Sequence, residues 1–152
     1  MIQSSFVLNG LPMSSFKLIG REFPAFSGLA PHVNKRLSAC LIGVGPIPPG
    51  LYYVFDREAG GLFGPLRDLF TGRSDWFALY GADNRIDDEV YCDKVKRGNF
   101  RLHPKGSLGR SEGCVVIDKP GDFIQVRMLL KSFKPAPVLG SKLHAYATLL
   151  VE

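Results

Sequence analysis

No apolar run in the sequence approaches the roughly 20 residues that a membrane-spanning helix needs, so membrane insertion is not expected. The first residues also lack the charged-then-apolar pattern of a cleavable signal peptide, which predicts synthesis in the cytoplasm without a leader. Cysteine is scarce, with Cys40, Cys92 and Cys114 the whole complement. Three thiols and three histidines show no ligand spacing that suits a zinc site, so neither a metal nor another cofactor is expected. Cys40 and Cys92 could bridge in an oxidising compartment, but two buried free thiols is the reading that cysteine's usual burial favours. Concentrated basic segments are missing too. The net charge of +5 is spread along the chain from Lys17 to Arg110, whereas a nucleic-acid surface gathers its cations around stacking aromatics. Nucleic acid is therefore not an expected partner, and the surplus suits a solvated exterior or an anionic polymer such as a bacterial wall.

What the sequence has in quantity is turn residues. Seventeen glycines and eleven prolines in 152 residues predict short strands joined by loops. Ile2–Leu8 and Ser14–Ile19 read as a hairpin around Asn9-Gly10, and the following stretch to Asn34 reads as irregular. Ala39–Val44, Leu51–Phe55, Asp75–Tyr80, Asn99–His103, Cys114–Ile117 and Leu143–Val151 read as strands. Residues 56–74 form a long loop, a candidate lid with room for a helical turn at 66–70, and the acidic segment 83–93 reads as solvated. One helix is expected, with Phe123, Val126, Leu130 and Phe133 at helical spacing, Pro120 in its first turn, and Lys131 and Lys134 at its C-terminal end. The expectation is a single mainly-β domain over 1–152, with one helix after the strand that starts at Cys114.

The chemistry is concentrated between His103 and Cys114, in His-Pro-Lys-Gly-Ser-Leu-Gly-Arg-Ser-Glu-Gly-Cys. A histidine ends one strand and a cysteine opens the next, so an imidazole is brought toward a thiol. A free thiol is mostly protonated at neutral pH, with a pKa of about 8.5, and needs a base. His103 is the candidate base and later acid. The backbone N–H groups of Gly113 and Cys114 are candidate oxyanion donors, and Ser111 either fixes the turn or orients His103. Strand alternation puts Glu112 and Cys114 on one face, with Glu112 solvated or paired to Arg110 or Arg101. Tyr52, Trp76 and Tyr80 lie on strands and could line a substrate cleft, although core packing is the commoner fate of an aromatic ring.

The element His103…Ser111-Glu-Gly113-Cys114 resembles the His…Ser-x-Gly-Cys signature of L,D-transpeptidase catalytic domains, and Gly45–Tyr52 resembles their Pro-x-Gly-x-aromatic strand entry. The likeness is greatest to small L,D-transpeptidase toxins delivered by type VI secretion. Phe26-Ser27-Gly28, Asn34, the run from Arg97 to Pro104, and Ser111–Cys114 carry it. The resemblance implies a β-sandwich or barrel fold with catalytic Cys114, His103, Ser111 and Gly113. Substrate contacts are expected from Arg101, Arg110, Gly109 and Tyr52. It implies a peptidoglycan-modifying cysteine acyl-transferase that cleaves stem tetrapeptides at the L-to-D bond and exchanges the terminal D-alanine. It further implies action in a target cell's periplasm, a secretion carrier and a periplasmic immunity protein. Two positions differ from the family pattern: Glu112 stands where many members have a second histidine, and Val116 where many have an arginine. The alternatives are another cysteine hydrolase of the cell wall or a non-catalytic wall-binding module. Papain-like enzymes place cysteine before histidine along the chain, the reverse of the order here.

Overall fold

The structure is a computed structural model that describes residues 1–57, 75–106, 109 and 111–152. The expected lid, apart from its first two residues, and the candidate Arg110 lie outside the described residues.

Eight strands close into a barrel. The chain begins with β1 (Ile2–Phe6), β2 (Ser14–Leu18) and β3 (Arg21–Phe26). Next come β4 (Gly50–Asp56) and β5 (Phe77–Gly81), then a separate hairpin of β6 (Glu89–Cys92) and β7 (Val95–Gly98). The strands β8 (Arg101–Pro104) and β9 (Val115–Ile117) follow, then the helix α1 (Pro120–Lys131). A two-residue pairing of β10 (Ala136–Pro137) with β11 (His144–Ala145) precedes the closing strand β12 (Ala147–Val151). Around the barrel the order is β1-β12-β4-β5-β8-β9-β3-β2, with β2 returning to β1. Only β1–β12 and β8–β9 run parallel among these pairs.

Alternation selects what faces inward. Phe6, Phe16, Leu18, Tyr52, Val54, Phe77, Leu79, Leu102, Val115 and Leu149 form the main core, and α1 adds Phe123, Val126 and Leu130 to it. Burying each such side chain is worth about 1.5–3 kcal/mol. The helix starts at Pro120 and stops at Lys131, so Phe133, expected on its apolar face, lies beyond it and is exposed. Tyr53, on the other face of β4, packs instead in a second cluster with Phe55, Ala78, Val138 and Ala145.

Three sequence expectations change. Residues 21–26 are a barrel strand, not an irregular stretch: Ile19 and Gly20, both at positive φ, make the tight turn that pairs Leu18 with Arg21. Ala39–Val44 is a set of turns, not a strand, closed by Gly45 N–H donating to the Leu41 carbonyl at 3.0 Å. Cys40 and Cys92 are not free thiols. They form a disulfide across 52 residues of sequence, tying those turns to the end of β6. The acidic segment 83–93 is largely exposed, as expected, and contains β6, with Asp93 and Lys94 at positive φ in the β6–β7 turn.

Candidate active site

The parallel β8–β9 pair sets the geometry. Its register matches Leu102 with Val115 and His103 with Val116. Leu102 and Val115 point into the core, so His103 and Arg101 lie on the opposite face of β8. Cys114 immediately precedes β9, which places it one register step back, level with Arg101 and diagonal to His103 on that same face. The Val116 position, an arginine in many L,D-transpeptidases, is fully buried here, between His103 on β8 and Phe26 on β3.

His103 is largely buried and held at both ring surfaces that matter. Its Nδ1 lies 2.8 Å from the Pro104 carbonyl oxygen. A carbonyl only accepts, so Nδ1 carries the proton and the neutral ring keeps Nε2 as its basic nitrogen. The indole of Trp76 stacks on the imidazole, with centroids 4.1 Å apart and planes 16° from parallel. The Arg57 guanidinium lies 5.5 Å from the Trp76 ring in turn. Trp76 sits one position before β5, half-buried rather than in the core, and its ring covers one face of the His103 imidazole.

The segment 111–114 is fastened on its carbonyl side. Ser111, almost fully buried, accepts from the Gly28 N–H at 3.1 Å and donates its hydroxyl to the Cys114 carbonyl at 2.6 Å. These bonds fix the turn. The Gly113 carbonyl accepts from Ser27 Oγ at 3.3 Å. Gly113 has φ +111°, and a Cβ there would lie 2.6 Å from Arg97 Nη2 and 2.7 Å from the Phe100 ring. Glycine is required on both counts.

Cys114 is the free cysteine, half-buried, with Sγ 3.8 Å from the Asn99 carbonyl. Burial pushes its thiol pKa up. The Arg101 backbone N–H and the Arg101 charge pull it down, while Glu112 and Asp88 push it further up. Arg101 does not pair with Glu112. Its guanidinium forks onto Asp88 at 2.7 and 2.6 Å, a bidentate geometry that fixes both partners. Glu112 is exposed and, as alternation predicts, shares the cleft with Cys114. That cleft, of about 390 Å³, lies between the 42–43 turn and the β6–β7 hairpin, with Lys96, Asn99 and Cys114 on its walls. Among the described residues there is no cluster of three or more His, Cys, Asp or Glu able to hold a metal.

A thiol raised by burial is protonated at neutral pH, so its thiolate fraction grows only as pH climbs above the usual value of about 8.5. Iodoacetamide alkylation of Cys114 is therefore expected to accelerate with pH on a limb displaced to the alkaline side. Stopped-time mass spectrometry reads this without interference, because the other two cysteines are bonded to each other. A midpoint near neutrality would contradict it.

The Tlde1 domain family model matches residues 21–140. The chain belongs to the Tlde1 domain family. This is a family of type VI secretion L,D-transpeptidase effectors. The chain has no match among curated proteins or among solved structures.

In this Tlde1 domain the four residues expected at the chemistry fall on one strand and the turn that leads into its neighbour: His103 on β8, and Ser111, Gly113 and Cys114 in the segment just before β9. The expected substrate contacts are more scattered. Arg101 is level with Cys114 but engaged by Asp88. Gly109 lies in the turn before the site, its N–H donating to the Gly106 carbonyl at 3.0 Å. Tyr52 is a core residue whose hydroxyl donates to the Pro48 carbonyl at 2.8 Å and whose ring meets Phe100 edge-on. It supports Phe100, which packs against Gly113, from below.

Proposed function

We propose that this Tlde1 domain is a cysteine acyl-transferase acting on peptidoglycan stem tetrapeptides. The observation that supports the reading is the parallel pairing of His103 with Val116, which puts Cys114, just before β9, on the His103 side of the pair, with the His103 tautomer set by the Pro104 carbonyl. Because the thiol is held in its neutral form, His103 Nε2 takes the Sγ proton as attack begins. The sulfur adds to the carbonyl carbon of the L-to-D peptide bond, and the carbonyl electron pair moves onto oxygen, facing the N–H groups of Gly113 and Cys114. Collapse breaks the C–N bond, His103 returns its proton to the departing D-alanine amine, and a thioester remains on Cys114. Water then releases a tripeptide stem, or the amine of another D-amino acid replaces the lost residue. Either outcome removes donor stems from wall synthesis, which fits a toxin delivered into a neighbour's periplasm. A producer of such a toxin carries an immunity protein, and a secretion carrier brings the toxin out.

Incubating the purified protein with tetrapeptide-rich peptidoglycan, with and without D-methionine, tests the reading by muropeptide mass spectrometry. Tripeptide stems and D-methionine-bearing stems are expected with the wild type and absent with Cys114→Ala. Identical muropeptide profiles for wild type, variant and buffer would defeat it.

A further inference from the structure

We infer that Arg97 is a positioning residue for the oxyanion donors, acting through the carbonyl side of the 112–114 backbone; the inference rests on the acyl-transfer reading of Cys114. Arg97 is 5% exposed and projects from the hairpin beside the barrel. Its Nη1 donates to the carbonyls of Ala39 and Pro46, and its Nη2 to that of Gly45 at 3.2 Å. The same Nη2 reaches the Glu112 carbonyl across 3.5 Å, and the guanidinium lies 5.3 Å from the Phe100 ring. A fork with this many acceptors has one orientation available to it.

Three consecutive carbonyls of the nucleophile's segment each meet a different side-chain donor: Glu112 meets Arg97, Gly113 meets Ser27, and Cys114 meets Ser111. In a trans peptide the N–H points opposite to the carbonyl of the same plane. Anchoring the Glu112 and Gly113 carbonyls therefore aims the N–H groups of Gly113 and Cys114 away from Arg97 and Ser27. The aim is set before substrate arrives, and preorganised donors of this kind are worth most in catalysis. Burial lowers the Arg97 pKa, and proximity to Tyr52 opposes the shift. The cation is retained by its carbonyl partners, and among the described residues no carboxylate pairs with it.

The test separates oxyanion alignment from thiol reactivity, and needs no natural substrate. Acetylation of Cys114 by p-nitrophenyl acetate forms a C–S bond, places charge on the carbonyl oxygen and expels p-nitrophenolate. Alkylation by iodoacetamide forms a C–S bond with loss of iodide and develops no oxyanion. With Arg97→Lys, acetylation is expected to fall about 100-fold, the size of effect seen for one lost oxyanion donor, while the rate and pH profile of alkylation stay as in the wild type. Parallel changes in both rates, or no change in either, would overturn the assignment. Should Arg97→Lys fail to fold by circular dichroism, Ser27→Ala, which frees the Gly113 carbonyl, decides by the same ratio. Failure of the peptidoglycan reading would appear separately, as wild-type acetylation of Cys114 without muropeptide turnover.

Discussion

Replacing His103 by glutamine is expected to lower turnover on tetrapeptide stems by about 10²–10⁴-fold, the usual contribution of a positioned general base, with little change in KM. The glutamine amide can still donate to the Pro104 carbonyl that now holds Nδ1, and it roughly matches the imidazole in reach. What it lacks is a nitrogen able to take a proton. In many cysteine enzymes the thiolate is formed beforehand by a neighbouring cation. Here burial pushes the thiol pKa up against the opposing pull of Arg101, so the base is needed during attack, and its loss is felt fully. Steady-state release of D-alanine measures the effect. Turnover within a few-fold of the wild type would mean that another group takes the proton.

Opening the Cys40–Cys92 bond, by Cys40→Ser with Cys92→Ser, is expected to cost roughly 4 kcal/mol of stability in the loop-closure model for a cross-link of this span. The bond links the turns after residue 39 to the β6–β7 hairpin, and both form walls of the cleft beside Cys114. The hairpin also carries Arg97, whose guanidinium caps carbonyls at Ala39, Gly45 and Pro46. The covalent and polar ties hold the same two pieces together, so their effects will not add. Urea denaturation of the oxidised wild type and the double variant measures the loss. A difference below about 1 kcal/mol would mean that Arg97 alone holds the wall. The periplasm permits such a bond and the cytosol disfavours it, so the wall is firmest in the compartment where the proposed substrate is found.

The parts of the fold that could be read from the sequence were those where one rule acted alone. The 2–19 hairpin, the strand carrying Tyr52, the two strands of the motif and the helix follow from alternation, a turn dipeptide or a three-to-four residue period. β3 was hidden because Pro24 lies inside it and demotes a strand on paper. In the barrel Pro24 pairs with Ser15, and its carbonyl accepts the Asp118 N–H at 2.9 Å. The 39–44 segment misled because Ala-Cys-Leu-Ile-Gly-Val is a short continuous apolar run bounded by turn residues, while its real conformation is dictated from outside by Arg97 and the disulfide. Pairing of Cys40 with Cys92 is a tertiary fact with no local signature. The same holds within the site. His103 and Cys114 announced themselves by spacing and company, but the stacking of Trp76 on His103 and the fork of Arg101 onto Asp88 depend on which strands become neighbours. The sequence offered only one clue to Arg97: a basic residue next to Gly98-Asn99-Phe100, close before the histidine.

The strand that closes the barrel comes after all the other barrel strands along the chain. β12 lies between β1 and β4 and matches Ile2 with Ala147 through Phe6 with Val151, while the Leu8 N–H donates to the Glu152 carbonyl at 2.7 Å. The candidate nucleophile Cys114 and candidate base His103 therefore leave the ribosome before the strand that closes the cylinder around them. Contacts between such distant parts of a chain form slowly, so closure waits for β12. A ribosome stalled between residues 114 and 147 holds a segment that contains both Cys114 and His103 but not the strand that closes the seam.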